Sequence, residues 1–348
     1  MVGFVGTYTE KESGGRAEGI YSFQLDPERG IIHAIRLAAH SVNPSYLAYT
    51  PSKKYLYAVN ETGGNVEGSV SAFAVDNDSL HFLNQISSRG ISPCHVAVDP
   101  DGSCAVVSNY SNGIVCVLPL NPDGTLGESV QVIQHSGTGP NADRQECAHT
   151  HSFIFDSGAS YGFVCDLGSD AVVSYRFNRN GPVFLSESSR YDAVPGSGPR
   201  HSVWNKAGTY LYVANELDST ITVLRYDPDH GFLNRLHTVS TTKDPIETGN
   251  TVAAIKLSPD ESFLYVSNRG ADTIAIFAAG KDGTLQHHVT IPSGGKIPRD
   301  FSIDPTGQFL CVCHQESNNL VLFRIDPSTA IPQKSAEYEI PSGVCILI

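Results

Sequence analysis

Three short motifs bring together residue types that bind anions and move protons. GPRH carries Arg200 and His201, ANEL carries Asn215 and Glu216, and SNRG carries Asn268 and Arg269. A guanidinium is a fork of N–H donors matched to a carboxylate or phosphate. A carboxylate beside arginine stays ionised and can activate water or accept a proton. Arg200 precedes one strand-like run and Glu216 follows the next, so a strand pair that goes out and comes back sets the two side by side. The same set also makes an ion pair that braces neighbouring elements, so position alone leaves both roles open. The segment AHTHS adds His149 and His151. On an extended backbone their imidazoles face one side, as a general base or a donor to an oxyanion would require. A metal site would need a third ligand of clear type, and none stands out. The polar segment HSGTGPNADRQECAHTHS places Arg144, Gln145 and Glu146 where a lid or binding loop would sit.

These residues sit at matching places in a repeat. A turn of the type (D/S/T)-P-x-(G/K/E) followed by a β-branched or aromatic strand occurs six times: TPSKKYLYAVN, DPDGSCAVVSN, DSGASYGFVCD, NKAGTYLYVAN, SPDESFLYVSN and DPTGQFLCVCH. From Pro51 to the equivalents Pro100, Ser157, Lys206, Pro259 and Pro305 the spacings are 49, 57, 49, 53 and 46. Each copy has a short apolar strand before it (a), its own strand (b), a third strand (c) and a more polar fourth (d). Four strands at this period predict an all-β, seven-bladed β-propeller. The seventh blade comes from the ends: VGFVGTYTE, GIYSFQLD and IIHAIRLAA match strands b, c and d, and the C-terminal VCILI matches strand a. Sharing that blade closes the ring and removes sheet edges. One domain over 1–348 is expected.

The strand order predicts a functional face. The a–b and c–d connections hold ordinary turn formers on one side of the disc. The d–a and b–c loops on the other side hold the unusual residues around the central channel, including Cys94-His95, Arg299-Asp300, Asn60-Glu61 and His314. Binding residues on a rigid β scaffold sit on such loops. Glu216, His151, Arg200 and Arg269 are the catalytic candidates there. His149, His201, Arg144, Asn215, Asn268 and His314 are the substrate-binding candidates, although asparagine at the end of strand b also caps the turn that follows. Only the fourth copy joins GPRH to Asn-Glu: Glu61 has no arginine upstream in its own copy, and Arg299 is followed by His314. Gly158-Ala159-Ser160-Tyr161-Gly162 spells G-x-S-x-G, but it falls on an a–b turn with no helix after it, so it is no nucleophile elbow.

Composition narrows the partners. The chain has 348 residues, 17% charged and 40% hydrophobic, with a formal net charge of −13. Nucleic acid and anionic membrane are not expected partners, whereas local arginines still suit a small anionic ligand. Neither a leader peptide nor an apolar run long enough to span a membrane is evident, and six of the 8 cysteines (Cys104, Cys116, Cys165, Cys311, Cys313 and Cys345) fall in apolar strands. A cytoplasmic protein with buried, reduced thiols is expected, and no metal or other cofactor is called.

GSGPRHSVW with NKAGTYLYVANELDSTITV, IKLSPDESFLYVSNRGADTIAIF, PRDFSIDPTGQFLCVCHQESNNLVLFRID, the opening VGTYT and the loop GPNADRQECAHTHS resemble the lactonase family of seven-bladed propellers. That family includes bacterial-type 6-phosphogluconolactonases and the fungal carboxy-cis,cis-muconate cyclase. The resemblance implies hydrolysis or formation of a lactone ring without a metal. It places the family's histidine, two arginines and glutamate on His151 (or His149), Arg200, Arg269 and Glu216. The expected activity is hydrolysis of a sugar lactone, foremost 6-phospho-D-glucono-1,5-lactone, with Glu216 or His151 activating water. The alternatives are a cycloisomerase acting on a muconate-type diacid and a non-catalytic interaction module.

Overall fold

The computed structural model describes residues 1–181, 183–242 and 249–348. They form seven four-stranded antiparallel sheets in a ring. The innermost strands, which number blades 1 to 7, are Leu47–Tyr49, Pro93–Val98, Thr150–Phe155, Pro199–Trp204, Thr251–Leu257, Pro298–Ile303 and Gly343–Leu347. Blade 7 is the shared one: Gly343–Leu347 pairs antiparallel with Val2–Thr7. Second strands such as Tyr161–Asp166 are buried along their whole length, because both faces meet a neighbouring blade. Fourth strands such as Leu185–Asp192 alternate inward and exposed residues, as a half-solvated outer strand must.

The repeated turn has a physical basis. Its first side chain bends back to accept amide hydrogens four and five residues on: Asp156 Oδ1 takes Ser160 N at 2.8 Å and Tyr161 N at 3.0 Å, and Asn205 Oδ1 takes Thr209 N at 2.8 Å and Tyr210 N at 2.9 Å. Its fourth residue adopts the left-handed conformation: φ is 54° at Lys53, 70° at Gly102, 48° at Ala159, 64° at Gly208, 62° at Glu261 and 72° at Gly307. Asp, Asn, Ser or Thr at the first place and a frequent Gly at the fourth are therefore requirements of the turn. The G-x-S-x-G of blade 3 is one such turn.

Near the start of several inner strands the register slips by one residue. The slips lie between Pro93 and His95, Thr150 and Ser152, Pro199 and His201, and Pro298 and Asp300. Each leaves one extra residue, respectively Cys94, His151, Arg200 and Arg299. Such a bulge breaks the alternation of a strand and re-aims a side chain. It puts chemically capable residues of four blades at one level of the channel mouth. The same-side reading of His149 and His151 assumed unbroken alternation, and the bulge at His151 replaces that geometry.

Candidate active site

Glu216 follows the second strand of blade 4 and is 2% exposed. Arg200 Nε donates to Glu216 Oε2 at 2.9 Å, and Arg269 reaches the same oxygen through a terminal nitrogen at 2.9 Å. Arg144, from the loop before blade 3, donates to Glu216 Oε1 at 2.6 Å. Among the described residues, then, three guanidiniums from separate segments meet one buried carboxylate. Backbone carbonyls hold two of them: Arg200 donates to Ala253 O at 2.7 Å and Arg269 to Val252 O at 3.0 Å. Arg269 Nε is buried and has no hydrogen-bond partner among the described residues.

The insert acts as a fixed strap. Gln145 is fully buried, donates to Leu167 O at 2.8 Å and accepts from Asn141 N at 3.2 Å, which carries Arg144 to Glu216. Arg144 also donates to the Tyr110 hydroxyl at 3.1 Å. Tyr110 joins the two histidines: His149 stacks on it with ring centroids 4.4 Å apart, and His151 meets it edge-on at 5.6 Å. His149 Nδ1 lies 2.8 Å from Tyr110 O and Nε2 lies 3.2 Å from Glu146. Since a carbonyl only accepts, Nδ1 carries a hydrogen and braces the loop. Glu146, Cys147 and His149 have potential ligand atoms within 4.8 Å of one another, a grouping that could hold a metal ion. This group includes His149 but not His151, so the two histidines do not form the metal pair weighed in the sequence.

Electrostatics assigns protonation states. Burial alone would raise the Glu216 carboxyl, but Arg269, Arg200 and Arg144 outweigh it and hold the group well below the usual carboxylate range. Burial lowers Arg200 to about 10, with Arg269 adding to the effect, so it keeps its proton at neutral pH. His151 is pushed well below its ordinary value by burial and then by Arg200. His151 is therefore a neutral imidazole at neutral pH. Its Nδ1 is 3.9 Å from Cys94 Sγ, a thiol that burial pushes up and keeps uncharged.

Other candidates lie elsewhere. His201 faces down the channel, edge-on to His151 at 5.2 Å and His95 at 5.6 Å, with its Nε2 buried and unpartnered. It lines a cavity of about 650 Å³ with Tyr46, His95, Trp204 and Lys256, below the Glu216 cluster. Asn215 spends its amide on Thr220 and Thr222 hydroxyls at 2.9 Å each. Asn268 bonds Thr241 O and the Thr273 hydroxyl, both at 3.3 Å. Both asparagines brace the turns beside the mouth instead of offering donors to it. His314 is fully buried against Asn319 O at 3.3 Å, and burial lowers it to about 4; it does not join the cluster.

Sequence reasoning placed Tyr110, Glu61 and Arg299 on the loops of this face but gave them no role, and it did not join Glu61 and Arg299 with Tyr8. Arg299 Nη2 is 3.9 Å from Glu61 Oε2, and its guanidinium lies 5.3 Å from the Tyr8 ring centroid. Tyr8 donates to Glu61 at 2.9 Å. Arg299 occupies the place in blade 6 that Arg200 holds in blade 4, and Glu61 the place in blade 1 that Glu216 holds. The signal was therefore present in the repeat, but divided between two copies that meet across blade 7.

The channel mouth of this seven-bladed propeller gathers arginines, a buried carboxylate and a neutral histidine, groups whose chemistry suits holding an anion and accepting a proton. The model of the family described as "Lactonase, 7-bladed beta-propeller" matches residues 2–348, and the chain belongs to that family. It is 37% identical to the 6-phosphogluconolactonase of Bacillus subtilis (strain 168), covering 99% of this chain and 97% of that one. It is 33% identical to the 6-phosphogluconolactonase of Formosa agariphila over 98% and 97% of the two chains. The solved periplasmic gluconolactonase of Pseudomonas aeruginosa superposes with a TM-score of 0.93 at 30% identity, over 99% and 98% of the chains.

Proposed function

We propose that this single propeller domain hydrolyses a phosphorylated sugar lactone, 6-phospho-D-glucono-1,5-lactone, to the open-chain acid. The observation that carries this reading is the charge of the mouth. Among the described residues, Arg144, Arg200, Arg269 and Arg299 form ion pairs with just two carboxylates, Glu216 and Glu61, an excess of positive groups in a chain whose total charge is −13. Glu146, exposed at the rim, pairs with His149. Buried charge of one sign is costly unless paired, and a doubly charged phosphate monoester would neutralise this one.

His151 is the base in this reading, since both oxygens of Glu216 are occupied by guanidiniums. His151 takes a proton from water as the water oxygen attacks the lactone carbonyl carbon. The carbonyl oxygen becomes an oxyanion facing Arg269 Nε, the buried donor with no partner. The bond from that carbon to the ring oxygen then breaks, and the imidazolium returns its proton to the departing oxygen. Glu216 holds Arg200, Arg269 and Arg144 in place. A reducing compartment such as the cytoplasm suits the chain, whose eight cysteines all carry free thiols. The test is an assay with freshly made phosphogluconolactone, corrected for spontaneous opening, beside a muconate-type diacid. Lactone loss well above the spontaneous rate is expected; cyclisation of the diacid with no lactone loss would replace this reading with the cycloisomerase.

A further inference from the structure

We infer that Arg299, with Tyr8 and Glu61, forms a second anion subsite that takes the phosphate of the substrate and selects phosphorylated over unphosphorylated lactones. The inference rests on the lactonase reading above and adds to it the group that recognises the distal charge.

The other arginines of the mouth are committed. Arg144, Arg200 and Arg269 each bond Glu216, and each has a further partner in Tyr110, Ala253 or Val252. Arg299 differs. Its guanidinium makes no hydrogen bond among the described residues, and its contact with Glu61 at 3.9 Å is too long for one. A structural arginine–carboxylate pair buried to this degree closes to a bidentate fork near 2.8 Å. This one leaves the fork open, although the Arg299 side chain is only 18% exposed.

The surroundings hold the open fork in place. The Tyr8 ring lies under the guanidinium, a cation–π contact that consumes no hydrogen bond of the fork. Glu61 is fixed by the Tyr8 hydroxyl and by its own amide, which donates to Asn43 O at 3.1 Å. Asn43 in turn accepts from the amides of Thr9 at 2.8 Å and Glu10 at 3.0 Å, which locks the Tyr8 loop. Burial alone would lower Arg299, but Tyr8, Glu61 and Glu216 raise it, so its charge is permanent. Arg299 sits at the bulge of the blade 6 inner strand as Arg200 sits at that of blade 4, so both open on the same end of the channel. The lactone carbonyl lies at Arg269 and the phosphate at Arg299, where it displaces Glu61 as the nearest anion.

The test compares wild type with Arg299→Gln and Glu61→Gln on 6-phosphogluconolactone and glucono-1,5-lactone. In Arg299→Gln the ratio of kcat/KM for the phosphorylated over the plain lactone is expected to fall by about 10- to 100-fold, mostly through KM, the size of a lost charge-assisted contact. Glu61→Gln removes the competing carboxylate without emptying the site, and is expected to tighten binding of 6-phosphogluconate. An unchanged ratio in Arg299→Gln overturns the subsite. Calorimetry separates this failure from failure of the parent reading. If wild type hydrolyses neither lactone, the lactonase reading falls, and the subsite stands only if 6-phosphogluconate binds more tightly than gluconate and Arg299→Gln removes the difference. Equal binding of the two overturns it.

Discussion

At the scale of the residue, protonation at the mouth follows from burial and from which charges face each group. Glu216 is ionised and fully engaged, while His151 is neutral and lacks an ion pair among the described residues. If His151 is the base, its folded value well below the ordinary one of about 6.5 sets the acid limb. Turnover, followed as kcat/KM against pH, is expected to hold as pH falls through 6.5 and to decline only below it. A limb centred near pH 7 would assign the base to another group. Arg200, Glu216 and Arg269 were legible in the sequence because each sits in a motif at the end of a strand. Arg299 and Glu61 were legible as residues of the channel face but not as a pair, since they belong to different copies and meet only when the ring closes over blade 7. The separate surroundings of His149 and His151 were hidden for another reason: a bulge is a slip of hydrogen bonding, and AHTHS carries no residue that announces it.

At the scale of the element, the a–b turn was readable because its first and fourth positions have strict chemical needs. The fourth demands a left-handed backbone, and three copies meet it with Lys53, Ala159 and Glu261 instead of glycine. A side chain in that conformation costs about 1 kcal/mol or more. Ala159→Gly is therefore expected to stabilise the protein by up to about 1 kcal/mol, and Gly102→Ala to destabilise it by a similar amount. Urea unfolding midpoints check both, and changes of the same sign in the two variants would refute the account of the turn. The inner strands were harder to read. Leu47–Tyr49 has 3 residues, and only the repeat identifies so short a run as a strand.

At the scale of the whole molecule, seven blades were legible because the two ends supplied the strands of a seventh unit beyond the six copies, and Val2–Thr7 does pair with Gly343–Leu347. Closure also buries histidines around the channel. His95, lowered to about 3, and His151 and His201, both held well below their ordinary value, owe this first to burial and then to Arg200. Each is neutral when folded and protonates near pH 6.5 when unfolded. The unfolded chain therefore binds more protons below that pH, and stability present above it is lost as pH falls. The loss approaches about 1.4 kcal/mol per pH unit for each histidine that stays neutral. Glu216 adds a loss of the same sign only below the ordinary carboxylate range near 4.3, so it does not contribute between pH 7 and 5. Thermal melts are expected to show Tm falling steadily over that interval, and a flat Tm would contradict the assignment of three neutral histidines. The membrane is a separate matter: among the described residues no helix is long and apolar enough to cross one.

The central claim is that the guanidiniums gathered by Glu216 stabilise the opening of a lactone ring. Turnover of fresh 6-phosphogluconolactone by Arg269→Lys, beside wild type, tests it most directly. Lysine keeps a positive charge near Glu216 but has no Nε–H at the unpartnered position. A fall in kcat of about 10² to 10³ with an unchanged melting profile is expected, the size of one lost oxyanion donor. A folded Arg269→Lys that turns over within a few-fold of wild type would contradict the account.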